Sequence, residues 1–141
     1  PPCHSEFQVI GVPLEDGNFG FELHWNQRSV DTFLGLPFNI ASYATLAKII
    51  EWLTGYPALA IEGTLKCVHF YDNQYEAAKE LLTRDPNTHP NCEIEIAFPR
   101  IDNEQDWSLD DKFDRLIPDM FKLIGYSSDD SIKVEMLAPK E

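Results

Sequence analysis

Apolar and polar residues alternate loosely through SEFQVIGV (5–12) and strictly through FELHWNQ (21–27). In the second run Phe21, Leu23 and Trp25 fall on one side and Glu22, His24 and Asn26 on the other, the period of two that a half-buried strand imposes. PLEDGNFG lies between the runs, and its Asp16-Gly17 and Gly20 favour turning, so the two predict a β-hairpin with a long loop. From Ile40 the period changes. Ala44, Ala47 and Ile50 recur at helical spacing, as do Leu46, Ile49 and Leu53, which predicts a buried helix closed by Gly55 and Pro57. Residues 28–39, with Gly35 and Pro37, read as the loop leading into it.

Further on, ALAIEGTLKCVHFY (58–71) predicts a strand interrupted at Gly63. Helical spacing returns at Tyr75, Ala78, Leu81 and Leu82 and stops before Asp85-Pro86. CEIEIAF (92–98) alternates as a strand, the acid-rich stretch 102–115 reads as a solvated loop or a short helix from Ser108, and FKLIGY (121–126) and SIKVEML (131–137) read as strands around the turn SSDD. With no repeat and no internal linker, the expectation is one α+β domain over residues 1–141, or part of one.

Composition narrows the function more than the fold. Twenty-four acidic against 11 basic residues leave a net charge of −13, which excludes a general nucleic-acid surface but not one anionic small molecule held by a local arginine. No apolar run reaches the length of a membrane span, and no basic-then-apolar leader opens the chain. Cys3, Cys67 and Cys92 cannot all pair, so free thiols in a reducing, cytoplasmic setting are expected. The missing initiator Met suggests a processed chain, a trimmed one or a piece of something longer.

Three thiol–imidazole pairs, Cys3-His4, Cys67-x-His69 and His89-x-x-Cys92, are candidate zinc donors, but no C-x₂₋₄-C knuckle accompanies them and no metal is expected. A second reading concerns Cys3 as a nucleophile. Cys3 starts the first hairpin strand and Arg28 follows the second, so antiparallel pairing brings a guanidinium towards the thiol, the setting that activates cysteine. From these two residues alone an unreactive Cys at a frayed end is the stronger reading. The segment QRSVDTFLGLPFNIASYA (27–44) shifts that weight. Arg28 and Ser29 suit a phosphate, the first with forked donors and the second with a hydroxyl. Asn39 carries a donor and an acceptor side by side, matching the O4/N3–H edge of uracil, although alone it reads as a helix N-cap.

That segment closely resembles the core motif of the thymidylate synthase family, particularly phage and bacterial forms, and Pro1-Pro2-Cys3-His4 resembles its nucleophile motif. The likeness continues through His69-Phe70-Tyr71, Gly125-Tyr126 and Ile132-Lys133-Val134-Glu135-Met136. It implies an α+β fold with a mixed sheet packed by helices, the N-terminal half of the family fold being absent. It implies reductive methylation of dUMP to dTMP with 5,10-methylenetetrahydrofolate as cosubstrate, and a homodimer. By the same resemblance Cys3 attacks C6 of the pyrimidine, while Arg28 and Ser29 hold the 5′-phosphate. Gln27 lies beside thiol and nucleotide, and Asn39 reads the uracil edge. Asp31, Gly35 and Phe38 serve the folate, and His69 and Tyr71 bond the deoxyribose 3′-hydroxyl. Tyr43 joins the hydrogen-bond network, with His4 in support. Alternatives within reach are a dUMP hydroxymethylase of the same family and a non-catalytic nucleotide-binding fragment.

Three departures bear on these expectations. The family's G-D-x-H reads Lys66-Cys67-Val68-His69, its histidine after H-x-Y is replaced within Asp72-Asn73-Gln74, and Pro139-Lys140-Glu141 extends the apolar tail that closes over folate. The family also places its nucleophile near mid-chain, which implies an N-terminal half supplied as a separate or cleaved chain.

Overall fold

Strand β1 (His4–Pro13) pairs antiparallel with β2 (Phe19–Gln27), as the alternation predicts. The computed structural model describes residues 2–97 and 107–137. Helix α1 (Gly35–Thr54) then crosses over and returns the chain to β4 (Ala58–Leu65), which lies parallel to β2. A parallel neighbour needs such a crossover, because no tight turn can join two parallel strands. The sheet is therefore mixed, in the order β1-β2-β4.

Between β2 and β4, the two-residue strand β3 (Val30–Asp31) pairs in parallel with β5 (Val68–His69). Helix α2 (Tyr75–Leu81) follows a helical turn at Asp72–Gln74. Strands β6 (Glu93–Ile96) and β7 (Phe121–Ile124) form an antiparallel pair, with α3 (Leu109–Asp114) between them in sequence. Ser108 caps α3, its hydroxyl accepting from the Asp111 backbone N–H at 3.1 Å.

The core forms where the apolar side of β2 meets α1. Phe21, Leu23 and Trp25 pack with Tyr43 and Ala47, and Ile50, Ile61 and Leu65 complete the cluster. This layer sets how α1 lies on the sheet, and so where the head of the helix meets the end of β2.

Four expectations change. Helix α1 begins five residues earlier than its apolar period, at Gly35 with Leu34 as N-cap. Pro37 is tolerated there because a first-turn residue has no intrahelical acceptor for its N–H. Asn39 thus lies within the first turns and is not the cap. Gly63 does not interrupt its strand, since β4 runs through it and breaks at Lys66-Cys67, where Cys67 takes φ 44°. Residues 131–137 form no strand, and Asn73 Nδ2 donates to the carbonyl of Glu135 at 2.8 Å instead. Of CEIEIAF and the acid-rich stretch, Phe98 and residues 102–106 lie outside the described residues, as does Pro139-Lys140-Glu141.

Gly63 has a packing reason to be glycine. A Cβ there would lie 2.4 Å from Cζ2 of Trp25, against a ring held between strand and helix. Gly63→Ala is expected to cost about 1–3 kcal/mol by overpacking, read as a lowered urea midpoint. Gly11→Ala on β1 meets nothing within 4 Å and serves as control. Equal midpoints for the two variants would show that the indole yields freely.

Candidate functional site

The site grows from the end of the hairpin. The Arg28 backbone N–H donates to the carbonyl of Cys3 at 2.9 Å, and Arg28 Nε donates to the carbonyl of Pro2 at 3.1 Å. Cation and thiol residue thus stand across one antiparallel end, as the register argument requires. Cys3 is exposed. Its neighbour His4 meets Tyr43 of α1, with Nδ1 and the phenol oxygen 3.1 Å apart. Tyr43 stacks on Trp25 with ring centroids 4.6 Å apart, and burial pushes its hydroxyl above the usual phenol range, so it stays protonated beside the imidazole.

Gln27, the last residue of β2, is buried at 3% exposure. A buried amide is costly unless its groups are bonded, and here they are. Nε2 donates to Asn39 Oδ1 at 3.0 Å and to the Ser29 carbonyl at 3.1 Å, and Oε1 accepts from Trp25 Nε1 at 3.5 Å. Gln27 therefore orients the Asn39 amide, committing its oxygen in part and leaving its Nδ2 as a donor.

A second arm starts at Asp31. Its Oδ1 accepts from the backbone N–H groups of Phe33 and Leu34, both at 3.1 Å, which turns the chain into α1. Strand pairing sets Asp31 opposite His69. The His69 Nδ1 lies 2.7 Å from the Cys67 carbonyl, which can only accept, so Nδ1 carries the proton and Nε2 of the neutral ring is an acceptor. The same carbonyl accepts from Val30 N–H at 3.2 Å, which ties the left-handed Cys67 to β3. His69 and Tyr71 meet edge to face at 5.4 Å. At Gly35 a Cβ would approach the Asp31 Cβ to 3.3 Å, so the bare backbone lets the helix start close against the carboxylate.

The two arms, Cys3-His4-Gln27-Asn39-Tyr43 and Asp31-Gly35-His69-Tyr71, join through the continuous stretch Gln27–Asp31. Phe38 belongs to neither. Its ring is 74% exposed and lines a cavity of about 830 Å³ with Phe33, Leu34, Pro37, Leu81 and Tyr126. Arg84 and Asp129 line the same cavity, so it is apolar with a few charged groups. Among the described residues no group of three or more His, Cys, Asp or Glu is placed to hold a metal, and no helix is long and apolar enough to cross a membrane.

Pattern reading missed Gln74. It is 1% exposed and bonds both Asp31 and Tyr71. Its sequence signal was its place in Asp72-Asn73-Gln74, the stretch within which the family's histidine after H-x-Y is replaced.

Residues 1–138 match the thymidylate synthase family, and the chain belongs to that family. Among solved structures it resembles the thymidylate synthase of phage T4, with a TM-score of 0.79 and 35% identity over 96% of this chain. The chain spans 46% of that phage protein's length.

Proposed function

We propose that this chain is the nucleophile-bearing portion of a thymidylate synthase, acting in the reductive methylation of dUMP to dTMP. The observation that carries the reading is the buried Gln27 bridge, which orients Asn39 from the same strand end that holds Cys3 against Arg28. In this reading Arg28 and Ser29 hold the 5′-phosphate, while His69 and Tyr71 bond the 3′-hydroxyl. Asn39 donates through Nδ2 to uracil O4 and accepts N3–H at Oδ1. The Cys3 thiolate adds to C6, its electron pair passing through the ring so that C5 becomes nucleophilic and O4 gathers the charge Asn39 meets. Asp31, Gly35 and Phe38 receive 5,10-methylenetetrahydrofolate, which supplies the one-carbon unit and the hydride that reduces it to methyl.

Exposed Phe7, Val9 and Ile10 on β1, a strand paired along one edge alone among the described residues, support a partner polypeptide that completes the sheet. That partner is proposed as the remainder of the family fold, within a homodimeric, cytoplasmic enzyme. The test is dTMP formation from dUMP and methylenetetrahydrofolate, with and without a polypeptide covering the rest of the phage protein's length. Methylated product in the mixture supports the synthase. Hydroxymethylated product supports the hydroxymethylase, and tight dUMP binding without product supports a binding module.

Asn39→Asp tests the uracil contact. It replaces the Nδ2 donor that faces uracil O4 by an acceptor, which cytosine's N4–H₂ satisfies and uracil O4 does not. The variant is expected to lose at least about tenfold in dUMP affinity and to prefer dCMP in competition titrations. Unchanged preference would remove Asn39 from the base edge.

A further inference from the structure

Two polar side chains are buried among the described residues, Gln27 and Gln74. The first belongs to the nucleotide arm. Gln74 uses both ends of its amide elsewhere: Nε2 donates to Asp31 Oδ2 at 3.1 Å, and Oε1 accepts the Tyr71 backbone N–H at 2.9 Å. The other oxygen of Asp31 is already held by Phe33 and Leu34, so the carboxylate receives donors on both oxygens and its orientation is set. The Tyr71 N–H also has its partner in Gln74, and Gln74 N–H returns to the Tyr71 carbonyl at 2.8 Å, closing the helical turn around the pair. We propose that Gln74 is a positioning residue that locks the Asp31 carboxylate and the Tyr71 backbone into one unit, so that the folate-facing and sugar-facing sides of the site are set together. The inference rests on the ligand assignments of Asp31 and Tyr71 above, although the bridge itself does not.

The chemistry of the bridge is selective. It needs one donor and one acceptor about an amide's width apart, in a site closed to water. Leucine offers neither group. Glutamate would set a second carboxylate against Asp31, and histidine carries one donor and one acceptor nitrogen.

The test uses the full chain and Gln74→Leu, Gln74→Glu and Gln74→His. Without ligand, Gln74→Glu is expected to be far less stable than the unaltered chain at pH 8. The gap should narrow as pH falls through the carboxylate range and the two acids, Glu at 74 and Asp31, share a proton. The other titratable neighbours are Tyr71, Asp72, Tyr75 and Glu76 in sequence and His69 across the ladder from Asp31, and all are common to every variant. A gap that stays flat with pH would overturn the bridge. With ligands, and with a polypeptide covering the rest of the phage protein's length present, calorimetry compares dUMP, its 2′,3′-dideoxy analogue and a folate analogue. Gln74→Leu is expected to lose about tenfold in folate affinity and to discriminate the two nucleotides about tenfold less. Gln74→His should restore both to within about threefold. Unchanged affinities in Gln74→Leu, or losses that histidine does not restore, would overturn the positioning role. If the unaltered chain, together with that polypeptide, binds neither nucleotide nor folate, the ligand assignments and the positioning role fall together, while the pH profile still reports whether the bridge exists.

Discussion

If Cys3 is the proposed nucleophile, Cys3→Ser is expected to abolish covalent-adduct formation with 5-fluoro-dUMP and methylenetetrahydrofolate, assayed on the chain together with a polypeptide covering the rest of the phage protein's length. A serine hydroxyl is a far weaker nucleophile than a thiolate at neutral pH, and loss of a nucleophile typically costs at least about a thousandfold in rate. The loss should be chemical and not structural. Cys3 is exposed and its contribution to the fold is a backbone carbonyl that serine keeps, bonded to Arg28 N–H. The melting temperature and dUMP affinity should therefore stay near those of the unaltered chain while the adduct mass disappears. Cys67 and Cys92 are exposed as well, which makes them internal controls. An adduct that survives in Cys3→Ser, or maps to either of the other two, would end the assignment.

The largest loss of stability is expected from Trp25→Ala. The indole is 5% exposed, stacks on Tyr43, covers the bare Cα of Gly63 and donates to Gln27. Truncating a buried aromatic costs about 3–5 kcal/mol, a large share of the roughly 5–15 kcal/mol that holds an ordinary domain together. The effect also reaches the site, because Tyr43 carries the His4 contact and Gln27 carries Asn39. Chemical denaturation should show the loss, and Trp25→Phe should recover more than half of it by refilling most of the volume. A cost below about 1 kcal/mol for the alanine variant would mean that the centre of the core lies elsewhere.

These two residues were legible for different reasons. Trp25 sits in a strand whose alternation is strict, and its burial follows from the period alone. Cys3 gained its meaning from Arg28 together with the residues up to Asn39, and the register His4↔Gln27 bears out the expectation that the hairpin brings its ends together. The start of α1 lies earlier than expected because Gly35 and Pro37 read as loop residues, although a helix tolerates both in its first turn. The helix begins before its buried face does, where Asp31 turns the chain. The interruption assigned to Gly63 was misplaced because glycine reports either a bend or a close approach, and here the indole of Trp25 decides for the second. Residues 131–137 alternate like a strand but find no ladder partner among the described residues.

The order of residues by itself determined the hairpin, the buried side of β2 and α1, and the meeting of Cys3 with Arg28. All of these follow from periodicity and from antiparallel neighbours joined by one loop. Tertiary structure alone decided that Asp31 stands opposite His69 and that Gln74, 43 positions further on, reaches back to it. Parallel pairing joins segments across a crossover of any length, so it leaves no spacing in the chain. A buried glutamine looks like any other until its two partners are in place.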